Sequence, residues 1–273
     1  MLKIGIRVHD LNGAPFNDAT SIVNELKKEG ISYIQLVYKK AFKNFKQDEN
    51  DLIKAAKIFE ENNIHVAMIG AYFNMIHPNL ETRNEGINYF KWCLKTANIF
   101  DCPLVGTETG SANGDLWTYN VLNHTEDSYL LVRDTVSMLK KFGTSNNTYP
   151  IIEGAYAHVI YKPELLYRLI EETAICNVTL DIFNYLNIEN YQDSIKIFTE
   201  AIELFGDKIK IFHLKDFNYY LGKFVQCAIG DGILDYKYII QTIKQKCPNA
   251  ILILEEVTGN DIKKSLNFIR SLE

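Results

Sequence analysis

The sequence predicts a single (β/α)8 barrel, a TIM barrel of α/β class. Eight short runs rich in β-branched and aromatic residues alternate from end to end with longer segments of helical period. The first residues of successive runs stand 26 to 47 positions apart, which is room for one strand and one helix each. No linker rich in Pro, Gly and Ser divides the 273 residues, so 1–273 is read as one domain. A doubly wound dinucleotide-binding sheet would want GxGxxG after the first strand, and "HDLNGAPF" does not supply it.

The runs are "LKIGIRV" (2–8), "SYIQLVY" (32–38), "IHVAMIGAY" (64–72) and "CPLVGTE" (102–108), followed by "YPIIEG" (149–154), "ICNVTLD" (175–181), "KIKIFHL" (208–214) and "AILILEE" (250–256). Parallel neighbours need a crossover, which the helix between them provides. In 51–63, Leu52, Ala55, Ala56 and Phe59 share one helical face. In 125–143 the same spacing brings Leu130, Val132, Val136 and Leu139 together, with Gly143 expected to stop the helix. The stretches 235–247 and 261–272 have the same period. Asp235 is the expected N-cap of the former, just after the tight turn "GDG".

Hydrophobic residues make up 47% of the chain and charged ones 23%, ample for one core. A formal net charge of -5, with no dense basic run, argues against nucleic acid as partner, because phosphate neutralisation supplies most non-specific affinity. The five cysteines are scattered without CxxC, as expected of reduced thiols in a cytoplasmic protein. "MLKIGIRVHD" lacks the look of a signal peptide, and no apolar run approaches the roughly 20 residues of a membrane helix. The expectation is a soluble protein with no membrane partner.

Catalytic groups of such barrels stand at the C-terminal ends of the strands. Strand five ends on Glu153, six on Asp181, seven on His213 and eight on Glu255 or Glu256. Side chains alternate along a strand. Placing Ile251 and Ile253 inside therefore brings Glu255 inside and sends Glu256 to the rim. The same parity turns Thr179 and Asp181 inward, and aligns Ile209, Ile211 and His213. Carboxylates gathered in a partly dry pocket repel one another unless a positive charge sits among them. A divalent cation meets that need, and mixed oxygen and imidazole ligation suits Mn²⁺, Co²⁺ or Zn²⁺ better than Ca²⁺.

These strand ends resemble the xylose isomerase-like TIM barrel superfamily, and within it the sugar and sugar-phosphate isomerase/epimerases. The matching pieces run through nearly the whole chain: "AYFNMIHPNLETR" (71–83), "VGTETGS" (105–111), "IIEGAYAHVI" (151–160), "LDIFN" (180–184), "HLKD" (213–216), "IGDGILDY" (229–236) and "LILEEVTG" (252–259). The resemblance implies that Glu153, Asp181, His213 and Glu255 bind one divalent metal, Mn²⁺ first, with Co²⁺, Zn²⁺ or Mg²⁺ as alternatives. It implies further that Glu153 and Glu255 act as the acid/base pair on a small sugar or sugar phosphate, through a metal-stabilised enediolate. Asn184 stands where many relatives carry His in D-x-x-H, and would bind substrate. Ketose 3-epimerases place an Arg six residues beyond the metal His; here that position is Tyr219. Self-association into a homo-oligomer is left open.

Around this set, Lys215 turns inward by parity and is read as holding a substrate oxygen. Asp216 is read as orienting a neighbour or capping the loop. Glu108 either binds substrate hydroxyls or braces its loop through Thr107 and Thr109. His77 and His158 follow strands three and five, and are assigned to substrate contact or to support of the metal ligands. Arg7 and His9 end strand one and are candidates for meeting a phosphate or hydroxyl, with structural salt bridging the simpler reading for Arg7. His65 is expected to be structural and His124 a solvated loop or cap residue. Other functional classes weighed are an endonuclease IV-like multi-zinc phosphodiesterase, a related dehydratase and a non-catalytic sugar-binding barrel. The first wants more histidines than the mouth supplies.

Overall fold

The computed structural model describes residues 2–273. The strands are β1 (Lys3–Arg7), β2 (Tyr33–Leu36), β3 (His65–Gly70), β4 (Leu104–Thr107), β5 (Tyr149–Glu153), β6 (Val178–Asp181), β7 (Ile209–Leu214), β8 (Asp216–Tyr220), β9 (Lys223–Cys227) and β10 (Ile251–Leu254). The helices are α1 (Ala19–Glu29), α2 (Tyr38–Ala41), α3 (Glu49–Glu61), α4 (Leu80–Thr96), α5 (Glu126–Thr144), α6 (Pro163–Thr173), α7 (Ser194–Phe205), α8 (Tyr236–Lys246) and α9 (Asn260–Ser271). Eight of the strands close into a barrel in the order β1-β10-β7-β6-β5-β4-β3-β2, and β8 and β9 form a separate two-stranded sheet. The predicted (β/α)8 architecture is the observed one.

By its packing the chain forms two compact units. One comprises the residues up to Gly70, with Ile99–Cys102 and Ile211–Glu273. In it β1 pairs in parallel with β10 and with β2, and β10 pairs with β7 so that Ile253 stands opposite His213. The β2–β3 register slips between Ile34 and Gln35, an irregularity of the kind that re-aims a side chain. The other unit comprises Ala71–Asn98 and Pro103–Lys210. There β4 pairs with β5, and β5 with β6 through Glu153 and Thr179.

Five of the helices start where a side chain supplies an acceptor for their first N–H groups. Asp18, Asp48, Asn79 and Thr125 cap α1, α3, α4 and α5, and Asp235 caps α8 by accepting from Tyr238 N–H, as its sequence position suggested. In α3, Leu52, Ala55 and Phe59 are buried, and Ala56 is half-buried at the margin. In α5, Val132, Val136 and Leu139 are buried with Tyr129, while Leu130 lies at the edge.

Two local expectations are corrected, and a third feature lies outside them. Gly143 does not stop α5, which continues to Thr144. A Cβ on Gly143 would sit 2.6 Å from the Thr148 carbonyl oxygen and 3.2 Å from Leu94, so the glycine serves a close backbone approach. His124 is half-buried rather than fully solvated: its ring stacks on Tyr161 at 3.7 Å, and its Nε2 lies 2.9 Å from the Tyr156 carbonyl oxygen. Burial pushes the pKa of its imidazole down. The third is the β8–β9 hairpin, which joins through Leu221 and Gly222, both at positive φ. That is the turn geometry hairpins favour, but Leu is a poor residue for it, so the sequence carries no turn signal there.

Asp216 anchors the hairpin's base. Its buried carboxylate accepts from the backbone N–H groups of Phe217, Gly230, Gly232 and Leu234, which realises the loop-capping reading of this residue. His65 is exposed and packs against Tyr33, a structural role.

Replacing Gly143 by Ala tests the close-approach reading. Helix propensity alone would gain about 1 kcal/mol. Overpacking against a backbone oxygen costs about 1–3 kcal/mol and is expected to win. Urea unfolding should therefore show a lower midpoint, and a raised one would contradict the packing argument.

Candidate metal centre

The strand ends bring the predicted ligands to one place, beginning with His213 and Glu255. The β10–β7 pairing runs one residue past β10, where Glu255 N–H donates to the Leu214 carbonyl at 3.2 Å. That fixes Glu255 beside His213, with Oε2 at 2.6 Å from the imidazole Nδ1. So close an approach needs something positive between the two atoms, a proton or a cation. It also lacks the alignment of a hydrogen bond, which leaves Oε2 a buried atom without a bonded donor. On the other side of the ring, Nε2 meets Gln35 Oε1 at 2.6 Å. An amide oxygen only accepts, so Nε2 carries the hydrogen and Nδ1 is the nitrogen turned toward Glu255.

Cations crowd the other oxygen of Glu255. Arg7 Nη1 donates to Oε1, and Lys215 Nζ stands 3.4 Å from it. The Arg7 guanidinium is in turn held by Asp10 through Nε at 2.7 Å and Nη2 at 3.0 Å, a bidentate pair. Burial would push the Glu255 carboxyl up. The charges of His213, Lys215 and Arg7 outweigh it, and hold the group well below the usual carboxylate range. The salt-bridge expectation for Arg7 thus holds, with Asp10 as a partner the sequence did not reveal. His9, next to this cluster, has its pKa pushed down to about 3 by burial, with Arg7 and Lys40 adding to the effect.

Glu153 and Asp181 are arranged by the turn after β6. Residues Phe183–Tyr185 form a short 3-10 helix. From it the Asn184 backbone N–H donates to Asp181 Oδ1 at 3.3 Å, while its side-chain amide donates to Glu153 Oε1 at 2.8 Å. The same amide reaches Glu108 Oε1 at 3.5 Å, and His158 Nδ1 lies 3.6 Å from that oxygen. Trp117 meets His158 edge-on at 5.2 Å. Tyr185 is buried beside this group. Burial, then the charges of Glu153 and Asp181, raise its phenol pKa and keep the hydroxyl protonated.

Glu153, Asp181, His213 and Glu255 each offer one ligand atom, and these atoms all lie within 4.8 Å of one another. None of the four residues is more than 6% exposed. Three carboxylates and an imidazole buried this tightly fit a divalent cation, and the unbonded Glu255 Oε2 is the kind of atom such an ion would satisfy.

A family model described as xylose isomerase-like TIM barrel matches residues 23–272. The chain belongs to that family. Comparison with curated proteins gives no match. Among solved structures, this xylose isomerase-like barrel is similar to a D-psicose 3-epimerase from Clostridium cellulolyticum H10, described in complex with D-tagatose, at 14% identity and a TM-score of 0.74 over 99% of both chains. A 3-keto-D-glucoside 4-epimerase from E. coli matches at 14% identity and a TM-score of 0.75 over 99% of this chain and 100% of its own. A xylose isomerase-like barrel from Mycobacterium smegmatis, described in complex with magnesium, matches at 11% and 0.74 over 100% and 96%. At these identities the likeness is one of fold.

Of the remaining predicted residues, Asn184, Glu108 and His158 gather around Glu153, and Lys215 stands at Glu255. His77 lies between β3 and α4. Its Nδ1 accepts from Asn79 N–H at 3.0 Å at the start of α4, and its Nε2 lies 3.4 Å from Asp115. Asn74 braces the same loops, donating to the Ser111 and Gly114 carbonyls at 2.6 and 2.8 Å. Gly110 packs against Asn74 with φ at +87°, which accounts for the glycine in "VGTETGS". Gln35, Asp10 and Tyr185 are the members that sequence reasoning missed. Gln35 had a signal: it is the one amide within the otherwise apolar run "YIQLVY".

Two expectations follow from this geometry. Gln35→Met removes the acceptor that fixes the His213 tautomer, and should weaken Mn²⁺ binding about 10- to 100-fold in calorimetric titration; an unchanged affinity would separate Gln35 from the site. His9 is neutral in the fold, whereas its unfolded value is 6.5, so below that pH the unfolded chain binds a proton that the native chain does not. Stability from this group is complete above pH 6.5 and falls as the pH drops toward about 3. His9→Gln should lose less stability than the wild type between about pH 7.5 and about pH 4.5 in urea unfolding, and equal losses would refute a buried neutral imidazole.

Proposed function

We propose that this chain is a divalent-metal-dependent isomerase or epimerase of a small sugar or sugar phosphate, with Mn²⁺ as the first candidate ion. The observation that carries the reading is the convergence of Glu153, Asp181, His213 and Glu255, two of them glutamates on different strand ends. The ion supplies Lewis acidity to a carbonyl and its neighbouring hydroxyl, which makes the adjacent C–H more acidic. Glu153, whose Oε1 accepts from the amide of Asn184, takes the proton. Glu255, ringed by Arg7 and Lys215, serves as the second acid/base group: delivery of a proton carried by Glu255 to the opposite face gives epimerisation, leaving Glu153 protonated and Glu255 ionised until both exchange with solvent. Delivery to the neighbouring carbon gives aldose–ketose isomerisation instead. Lys215 and the Glu108–His158 pair are the substrate-hydroxyl contacts in this scheme.

The multi-zinc phosphodiesterase alternative has less support. Among the described residues, the four-ligand group is the one cluster of three or more metal-ligating side chains, and a net charge of -5 disfavours a polyanionic substrate.

Glu153→Gln keeps the volume and removes the base. It should abolish incorporation of solvent deuterium into the substrate C–H across a panel of ketoses and ketose phosphates, while leaving the thermal unfolding temperature near that of the wild type. Undiminished deuterium uptake by this variant would show that another group removes the proton. A wild type that exchanges no member of the panel would count against the sugar chemistry altogether.

A further inference from the structure

We infer that the cavity between α3 and the segment following α2 is a binding site for a small aromatic monoanion, an aryl carboxylate. The cavity holds about 340 Å³ and lies within the unit that comprises the residues up to Gly70. None of its lining residues belongs to the four-ligand group, so the inference stands apart from both the metal reading and the sugar chemistry. Small-molecule pockets span about 300–1,000 Å³. This one is at the lower end, which suits a fused pair of rings and excludes a long acyl chain or a polymer.

The apolar walls are held in place. Leu52, Ala55 and Ile58 contribute one face of α3. Phe42 and Phe45 line the cavity too, each half-buried, so part of each ring is left uncovered. Phe42 is bridged to Phe16: Phe16 N–H donates to the Ala41 carbonyl, and Lys43 N–H donates to the Phe16 carbonyl, both at 2.7 Å. The Phe45 ring stacks on the buried Tyr38 with centroids 5.5 Å apart. A flat ligand therefore meets aromatic surfaces that are already positioned, against which it can pack offset or edge-on.

The charges on the rim decide the sign of the ligand. From Gly30 to Gln47 the sequence has four lysines and neither Asp nor Glu, in a chain whose net charge is -5. Two of these, Lys43 and Lys46, line the cavity, and among the described residues neither ammonium has a partner. The carboxylates at the same rim are engaged. Asp51 accepts from Lys54 at 2.9 Å, and Asp18 accepts from the Ser21 N–H and hydroxyl at 2.8 and 2.9 Å. Two uncompensated ammonium groups beside an apolar pocket favour a carboxylate carried on a hydrophobic body. Asp18 and Asp51, close by, would repel a ligand of higher charge such as a polyphosphate.

The test compares 1-naphthoate with its neutral counterpart 1-naphthamide, each titrated by calorimetry into the full-length chain. The wild type should bind the naphthoate about fivefold more tightly than the amide, and the double variant Lys43→Gln with Lys46→Gln should lose that preference. Both lysines are exposed, so the double variant is expected to fold, which circular dichroism checks. Phe45→Ala should weaken both probes about fivefold by removing a ring from the wall, and if it does not fold the lysine variant decides alone. A wild type that binds neither probe overturns the inference. So does a preference for naphthoate that survives in the lysine variant, because the carboxylate is then held elsewhere. Sedimentation velocity on the same samples covers the remaining occupant: a wild-type dimer that Phe45→Ala dissociates would mean that a second copy of the chain fills the cavity, which also overturns the inference.

Discussion

Three carboxylates buried with ligand atoms within 4.8 Å of one another cannot all remain ionised without compensation. Much of the surrounding structure meets that constraint. Arg7 and Lys215 bring two positive side chains to Glu255, and Asp10 keeps the first of them oriented. Asn184 meets Glu153 and Asp181 with N–H groups from its side chain and its backbone. Even so, the Nδ1–Oε2 approach of 2.6 Å between His213 and Glu255 asks for one more positive charge. A site with so many acceptors and so short an internal approach fits a cation.

The barrel makes this assembly feasible because strand ends are rigid. Glu153, Asp181 and His213 lie within or at the end of strands whose neighbours hold them in register, and Glu255 is tied to Leu214 one residue beyond its own strand. The groups that tune the ligands come from shorter structures: the turn after β6 for Asn184 and Tyr185, and the end of β1 for Arg7 and Asp10.

The fold was legible because strand and helix alternate at nearly even spacing, and because a charged residue ending an apolar strand is conspicuous. Asp181 and His213 could be placed by side-chain parity alone. The tuning residues were harder to see, since their roles depend on contacts between distant segments: Arg7 and Glu255 are 248 positions apart, and Gln35 and His213 are 178. Gly143 misled because glycine at a helix end has two physical explanations, a positive φ or a close approach, and the second applies. His124 misled because its partners, Tyr156 and Tyr161, belong to the loop after another strand. The β8–β9 hairpin escaped notice because Leu221 occupies a turn position where asparagine or glycine is the usual signal.

That hairpin follows directly on Lys215 and is fastened at its root, where Asp216 gathers four backbone N–H groups. Its far end, from Tyr219 to Leu221, is exposed and takes no part in that fastening. A change in length or composition at this exposed tip leaves the four bonds to Asp216 in place. Such an appendage gives a lineage of barrels room to acquire new preferences while the buried charges stay as they are.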